Sequence, residues 1–218
     1  MEQIIILALF LFSVILHECA HGLTAFHFGD DTAKKAGRIT MNPLKHIDPI
    51  FTIVLPVLLL LTAGIALGGP RPVPINKSKL RDPDRSMVWV ALSGPSTNLA
   101  LSFFFLALSG FFLRYNESSS LPERFNIHLN GISILYNIGL MNFLLTFFNL
   151  LPVPPLDGSR ILYYFVPDSA RQTMNQIEKF GIIILIFLLL SGIIGYIIDL
   201  LISGYTLLAK TVLPFFIL

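Results

Sequence analysis

An all-α, polytopic membrane protein is the architecture the sequence predicts, on two observations and one physical constraint. Of 218 residues, 54% are hydrophobic and only 13% charged. The mean hydropathy is +0.75, far too apolar for an ordinary soluble domain. Apolar stretches run over 3–24, 50–68, 87–113, 131–152 and 180–203, each near or beyond the ~20 residues that a helix needs to cross ~30 Å of hydrocarbon. Lipid offers no partner to a backbone N–H or C=O, so such stretches form helices, about five to six in all.

The first stretch has no basic leading region and no A-x-A-like cleavage site, and it carries His17, Glu18 and His21 in its interior. It is therefore read as a retained membrane helix rather than a secretory signal. The second, 50–68, contains Pro56 and Gly64 and ends at Gly68-Gly69, which allow the chain to bend. The fourth, 131–152, runs into Pro152, Pro154 and Pro155, which break a helix and leave irregular backbone beside the membrane. Beyond 203, Lys210 makes a further full crossing costly, so 204–218 is either another helix or an interfacial tail. A single cysteine, Cys19, excludes an internal disulfide. A net charge of +2 gives no reason to invoke nucleic acid. With no repeat, low-complexity tract or soluble appendage, the chain reads as a single membrane domain, 1–218.

The chemistry begins at His17-Glu18-Cys19-Ala20-His21. Histidines at i and i+4 share one helix face, so both rings can reach one metal ion, and the glutamate between them can hold and deprotonate a metal-bound water. The bland alternative is a pair of hydrogen-bonded histidines on a buried face. Three ionisable side chains within five residues of a membrane helix are expensive to bury, which favours function. A catalytic zinc takes three protein ligands and an open position. Candidates for the third ligand are His46, Asp48, Asp157, Glu178 and Asp199, and Asp157 stands out because it follows the proline-broken end of an apolar helix.

HExxH in the first apolar helix, together with Asn149-x-x-Pro152 and Asp157-Gly158, resembles the site-2 protease family of intramembrane metalloproteases, peptidase family M50. Gly37-Arg38-Ile39-Thr40, Asn42-Pro43, His46-Ile47-Asp48-Pro49, Pro72-Val73-Pro74-Ile75-Asn76 and Gly94-Pro95 with Asn98 resemble its compact prokaryotic branch. The likeness implies one Zn2+ held by His17, His21 and Asp157, with Glu18 as general base and acid for peptide hydrolysis. It also implies that Asn149 and Asn98 assist near the substrate or the oxyanion, and that the substrate is a membrane-spanning protein. Gly94 and Pro95 are read as helix-packing residues.

The ligand set constrains topology. From Gln3 to His17 is about 21 Å of helix, which puts the metal toward the far face of the bilayer. Asp157 reaches that face only if 50–68 turns back as a re-entrant segment. Charge agrees: that topology sets twelve of the fifteen Lys and Arg on one side against Arg114, Arg124 and Lys210. The positive-inside rule then places the site nearer the cytoplasm. Short strands over 32–43 at that rim are expected to offer an edge to an unwound substrate.

Other residues have plainer readings. Cys19 points off the two-histidine face and packs; His46 and Asp48 are either support for the site or a capped turn before Pro49. Lys77 to Arg85 is a solvated loop. A paired-aspartate protease using Asp157 and Asp199 leaves the histidines unexplained, and no serine elbow is present. A metal-binding transporter, or a silent scaffold that binds membrane helices, remains as the alternative class.

Overall fold

The computed structural model describes residues 2–54, 61, 69–118 and 129–214. Two compact units are present, Leu11–Gly94 and Met1–Phe10 with Pro95–Leu218. The helices are α1 (Glu2–His27), α2 (Thr32–Lys35), α3 (Pro83–Ser118), α4 (Leu129–Asn149), α5 (Asp157–Phe165), α6 (Asp168–Lys179), α7 (Gly181–Leu190) and α8 (Ile193–Val212). Four spans are long and apolar enough to cross a membrane: Ile4–His27, Pro83–Arg114, Gly131–Asn149 and Ile193–Val212. Helices α6 and α7, bent by 67°, make a fifth if taken as one broken span. The chain is a multi-pass, all-α membrane protein.

In the unit 11–94 the end of α1 is clasped to the turns before α3. Gly29, at φ +107°, reverses the chain in the left-handed region that glycine tolerates best. The Arg81 amide then donates to the Phe28 carbonyl at 3.0 Å. Asp30 is wholly buried. Its carboxylate accepts the Thr32 hydroxyl and amide, and the Asn76 amide at 2.6 Å. Ala25, Leu80 and Val90 form the small core beneath, with Phe28, Ile75 and Met87 packed on it.

The unit 95–218, with residues 1–10, is held by a different kind of contact. Helix α4 packs on α8, and α7 on both α8 and α6. Tyr205 is wholly buried with Leu106 and Ala209, and its ring lies 5.3 Å from that of Tyr136 and 5.2 Å from that of Phe143. Gly139 on α4 makes room for it: a Cβ there would overlap the Tyr205 hydroxyl. Two polar side chains buried in this unit donate to helix carbonyls. Asn142 donates to Ile138 O, and Thr146 to Asn142 O and Pro95 O, which gives those donors partners where lipid cannot.

Three expectations need comment. No strand occurs among the described residues, and 32–43 is instead the short helix α2, a turn, and a 3-10 turn over Pro43–His46. The reason is local: Arg38 N–H bonds to Ala33 O, Gly37 at φ +62° redirects the chain, and Asn42 caps the following turn through Leu44 N–H. The backbone groups a strand edge would offer are thereby taken up. Second, 180–203 is two helices rather than one, because Gly192 at φ +81° separates α7 from α8; α8 continues through 204–212. Third, the re-entrant 50–68 lies largely outside the described residues, although Pro49–Val54 is a π-helical turn.

Candidate metal centre

Helix α1 presents His17 and His21 one turn apart, both buried. Their Nε2 atoms lie 3.0 Å from each other. His21 Nδ1 lies 2.6 Å from the Val90 carbonyl oxygen. A carbonyl only accepts, so Nδ1 carries the proton and Nε2 of the neutral ring keeps its lone pair. The Ser93 hydroxyl donates to the same carbonyl at 2.7 Å and fixes it in place. This is the arrangement by which a backbone oxygen orients a metal-binding imidazole.

The space in front of the two rings is kept by Gly94. A Cβ at that position would sit 2.5 Å from His21 Nε2 and 2.6 Å from His17 Nε2. The sequence reading of Gly94 as a helix-packing residue is thus sharpened: it packs, but against the two imidazoles. Nothing in the local pattern 93–95 distinguishes that role from ordinary close packing.

Asp157 is the first residue of α5, reached after the turns at 150–156. Its neighbour Gly158 lies so close to the carbonyls of Leu150 and Leu151 that a Cβ would overlap them. His17 and His21 belong to the unit 11–94 and Asp157 to the unit that holds 95–218. Two imidazole nitrogens and a carboxylate oxygen form a zinc donor set, and three such ligands leave the open position of a catalytic site. Of the other candidates, His46 is buried and directs Nε2 to the Thr40 carbonyl at 2.9 Å, so it supports the 40–46 turn. Glu178 and Asp199 are exposed.

Glu18, between the histidines, accepts the Val73 amide proton at Oε2, 2.9 Å away. Cys19 is buried and donates to the Thr40 carbonyl at 3.3 Å, as a packing residue would. Asn149 donates to Leu145 O of its own helix at 2.9 Å. Asn98 is wholly buried, and neither side-chain atom has a hydrogen-bond partner among the described residues. The sequence placed Arg38 and Val73 in family-like stretches without assigning either a role; Val73 N–H meets Glu18, and Arg38 carries a charge that Glu18 favours. Burial, with Arg71 nearby, pushes the Arg38 guanidinium below its usual range, and Glu18 opposes that shift. The proline alternation at 70–74 was the available signal for Val73.

Two buried imidazoles one turn apart on an apolar helix, with a carboxylate between them, are the donor pattern of a metalloprotease centre. The model of peptidase family M50 matches residues 5–192. YwhC of Bacillus subtilis, a candidate zinc metalloprotease, is 40% identical over 187 residues, which cover 85% of this chain and 80% of that protein. Rip2 of Mycolicibacterium smegmatis, another candidate zinc metalloprotease, is 30% identical over 86% of this chain and 67% of its own length. The zinc metalloprotease MJ0392 of Methanocaldococcus jannaschii is 27% identical over 82% of this chain and 41% of that protein. No solved structure matches the chain. The chain belongs to peptidase family M50 and is a zinc metalloprotease of the membrane.

Proposed function

We propose that the chain is an intramembrane endopeptidase that hydrolyses peptide bonds of membrane-spanning proteins within or near the bilayer, in regulated intramembrane proteolysis. The observation that carries this reading is the His21 ring, oriented by the Val90 carbonyl so that its Nε2 lone pair meets His17 Nε2 at 3.0 Å, on a helix apolar enough to span the membrane. His17, His21 and Asp157 would hold the zinc. Bound zinc supplies Lewis acidity, which lowers the pKa of water and polarises the scissile carbonyl. Glu18 takes a proton from the attacking water and delivers it to the leaving amine nitrogen, the work of a general base and then a general acid. Asn149 and Asn98 assist at the substrate or the oxyanion. Buried Asn98 keeps amide hydrogens not given to any described residue, which suits a donor held for substrate. The preponderance of Lys and Arg in loops on one side supports a site nearer the cytoplasmic face of a prokaryotic cell membrane.

Metal content and cleavage, measured together on the purified full chain, test this. Wild type is expected to hold about one zinc per chain, Asp157→Ala to lose it, and Glu18→Gln to keep it while cleavage falls by more than about a thousandfold. Full zinc in Asp157→Ala would remove Asp157 as a ligand. Metal flux into liposomes that survives Glu18→Gln would make the chain a transporter. Partner binding indifferent to a chelator, without cleavage, would make it a scaffold.

A further inference from the structure

Residues 69–76 run Gly69-Pro70-Arg71-Pro72-Val73-Pro74-Ile75-Asn76. Proline fixes φ at 70, 72 and 74, and the residue before a proline is driven to extended backbone, so 69 through 74 is a stiff strap before any tertiary contact forms. Proline also lacks an N–H, so the strap's donors between 70 and 74 are the amides of Arg71 and Val73 alone. Both are used. Arg71 N–H donates to His46 O at 2.7 Å, and Val73 N–H donates to Glu18 Oε2 at 2.9 Å.

The strap is anchored on both sides of that bond. Upstream, Thr52 donates its hydroxyl to Gly69 O at 2.8 Å. Downstream, Asn76 N–H donates to the buried Asp30 carboxylate at 2.6 Å. At its centre, Arg38 reaches in with Nη2 to the Arg71 carbonyl at 2.6 Å. The carbonyl that Arg38 holds and the amide that Glu18 accepts lie two residues apart on one stiff segment. A buried guanidinium, only 7% exposed, given over to one backbone oxygen is an expensive way to fix a loop. It is explained if the position of the next amide along the strap matters.

We infer that Arg38 is a positioning residue for peptide hydrolysis: by holding the Arg71 carbonyl it sets the Val73 amide, which in turn aims the Glu18 carboxylate. The Glu18 side chain has one more rotatable bond than an aspartate, and without a fixed donor its carboxylate samples several rotamers. The strap removes that freedom on the oxygen Oε2 and leaves Oε1 for the proton transfers. Substrate need not touch Arg38 at all. The inference rests on the reading of Glu18 as the base, and it deepens it.

The test uses the full chain in detergent micelles, with a quenched fluorogenic transmembrane peptide as probe. Arg38→Ala is expected to lower kcat by about tenfold to a hundredfold, the size of effect a small misplacement of a catalytic group produces, with KM within about twofold and zinc content unchanged. Arg38→Lys, which can still donate to a carbonyl, is expected to recover most of the loss. Exchange of Val73 for its α-hydroxy analogue, which turns that amide into an ester and deletes the N–H, is expected to lower kcat alike, and the two changes together to cost little more than either, because they act on one chain of bonds. An unchanged or raised kcat in Arg38→Ala, a change confined to KM, or full additivity with the ester would overturn the inference. If Arg38→Ala does not fold, the ester variant decides alone, and an unchanged kcat there overturns it. Should Glu18→Gln itself remain active, the failure lies with the base assignment and not with Arg38.

Discussion

The two units of the molecule are held together by different physics. In 11–94, the ordering contacts are polar and long in sequence: Glu18 to Val73, His21 to Val90, Asp30 to Asn76, Arg38 to Arg71. In 95–218 they are apolar and aromatic, centred on Tyr205 with Leu106 and Ala209, and Asn142 and Thr146 donate to the carbonyls of helices. Hydrogen bonds fix a direction and a distance, whereas apolar packing fixes mainly a volume. The unit that must aim two imidazoles and a carboxylate uses the first, and the unit that must remain compact in lipid uses the second.

One added methyl group separates the two cases most sharply. Gly94→Ala places a Cβ against both Nε2 atoms. Zinc affinity is expected to fall by at least about tenfold to a hundredfold, as when the surroundings of a ligand are disturbed, with activity lost and helical circular dichroism unchanged. Metal analysis beside the spectrum checks this, and full zinc would show that the rings can step aside. The same change at Gly139 pushes a methyl into the Tyr205 hydroxyl, in a fully buried cluster. It is expected to cost about 1–3 kcal/mol of stability by overpacking, read as a lower Tm in detergent, while zinc stays bound. Loss of zinc from Gly139→Ala would break the division between the units.

The smallest effect is in acid. Burial raises the Asp30 carboxyl, but hydrogen bonds from Thr32 and Asn76, with Lys79 nearby, outweigh it and leave it below its usual value of 3.8. Asp31, bonded to Lys35 and Lys79, is held at about 2. A carboxyl depressed in the folded state contributes stability that is present above the unfolded value and lost as pH falls through the folded one. Protection of the Asn76 amide from hydrogen exchange is therefore expected to decline on acidification from about pH 4 toward 2, with amides of 138–146 unaffected. Asp30→Asn should weaken that protection already at neutral pH. An equal decline in both units would place the acid sensitivity elsewhere.

The membrane class and the spans 87–113 and 131–152 were legible because hydropathy over one helix length is a local property of consecutive residues. The pairing of His17 and His21 was legible for the same reason, since i, i+4 spacing puts two rings on one face before any packing occurs. The break at Gly192 and the loss of the strand over 32–43 were less so. A glycine inside an apolar run is compatible with a continuous helix, and the turn at 36–42 is settled by which carbonyls its amides find, Ala33 for Arg38 above all.

By itself the sequence determined a metal-dependent hydrolase in lipid and the helix face that His17 and His21 share, and it singled out Asp157 as a candidate third ligand. Only the tertiary structure decided which nitrogen of His21 keeps its lone pair, because that depends on the Val90 carbonyl 69 residues away. It also decided that Gly94 must stay bare before the rings and that the Val73 amide meets Glu18. Periodicity encodes what neighbours along one helix share; an aimed hydrogen bond requires two distant segments to arrive within tenths of an ångström, and no spacing along the chain records that.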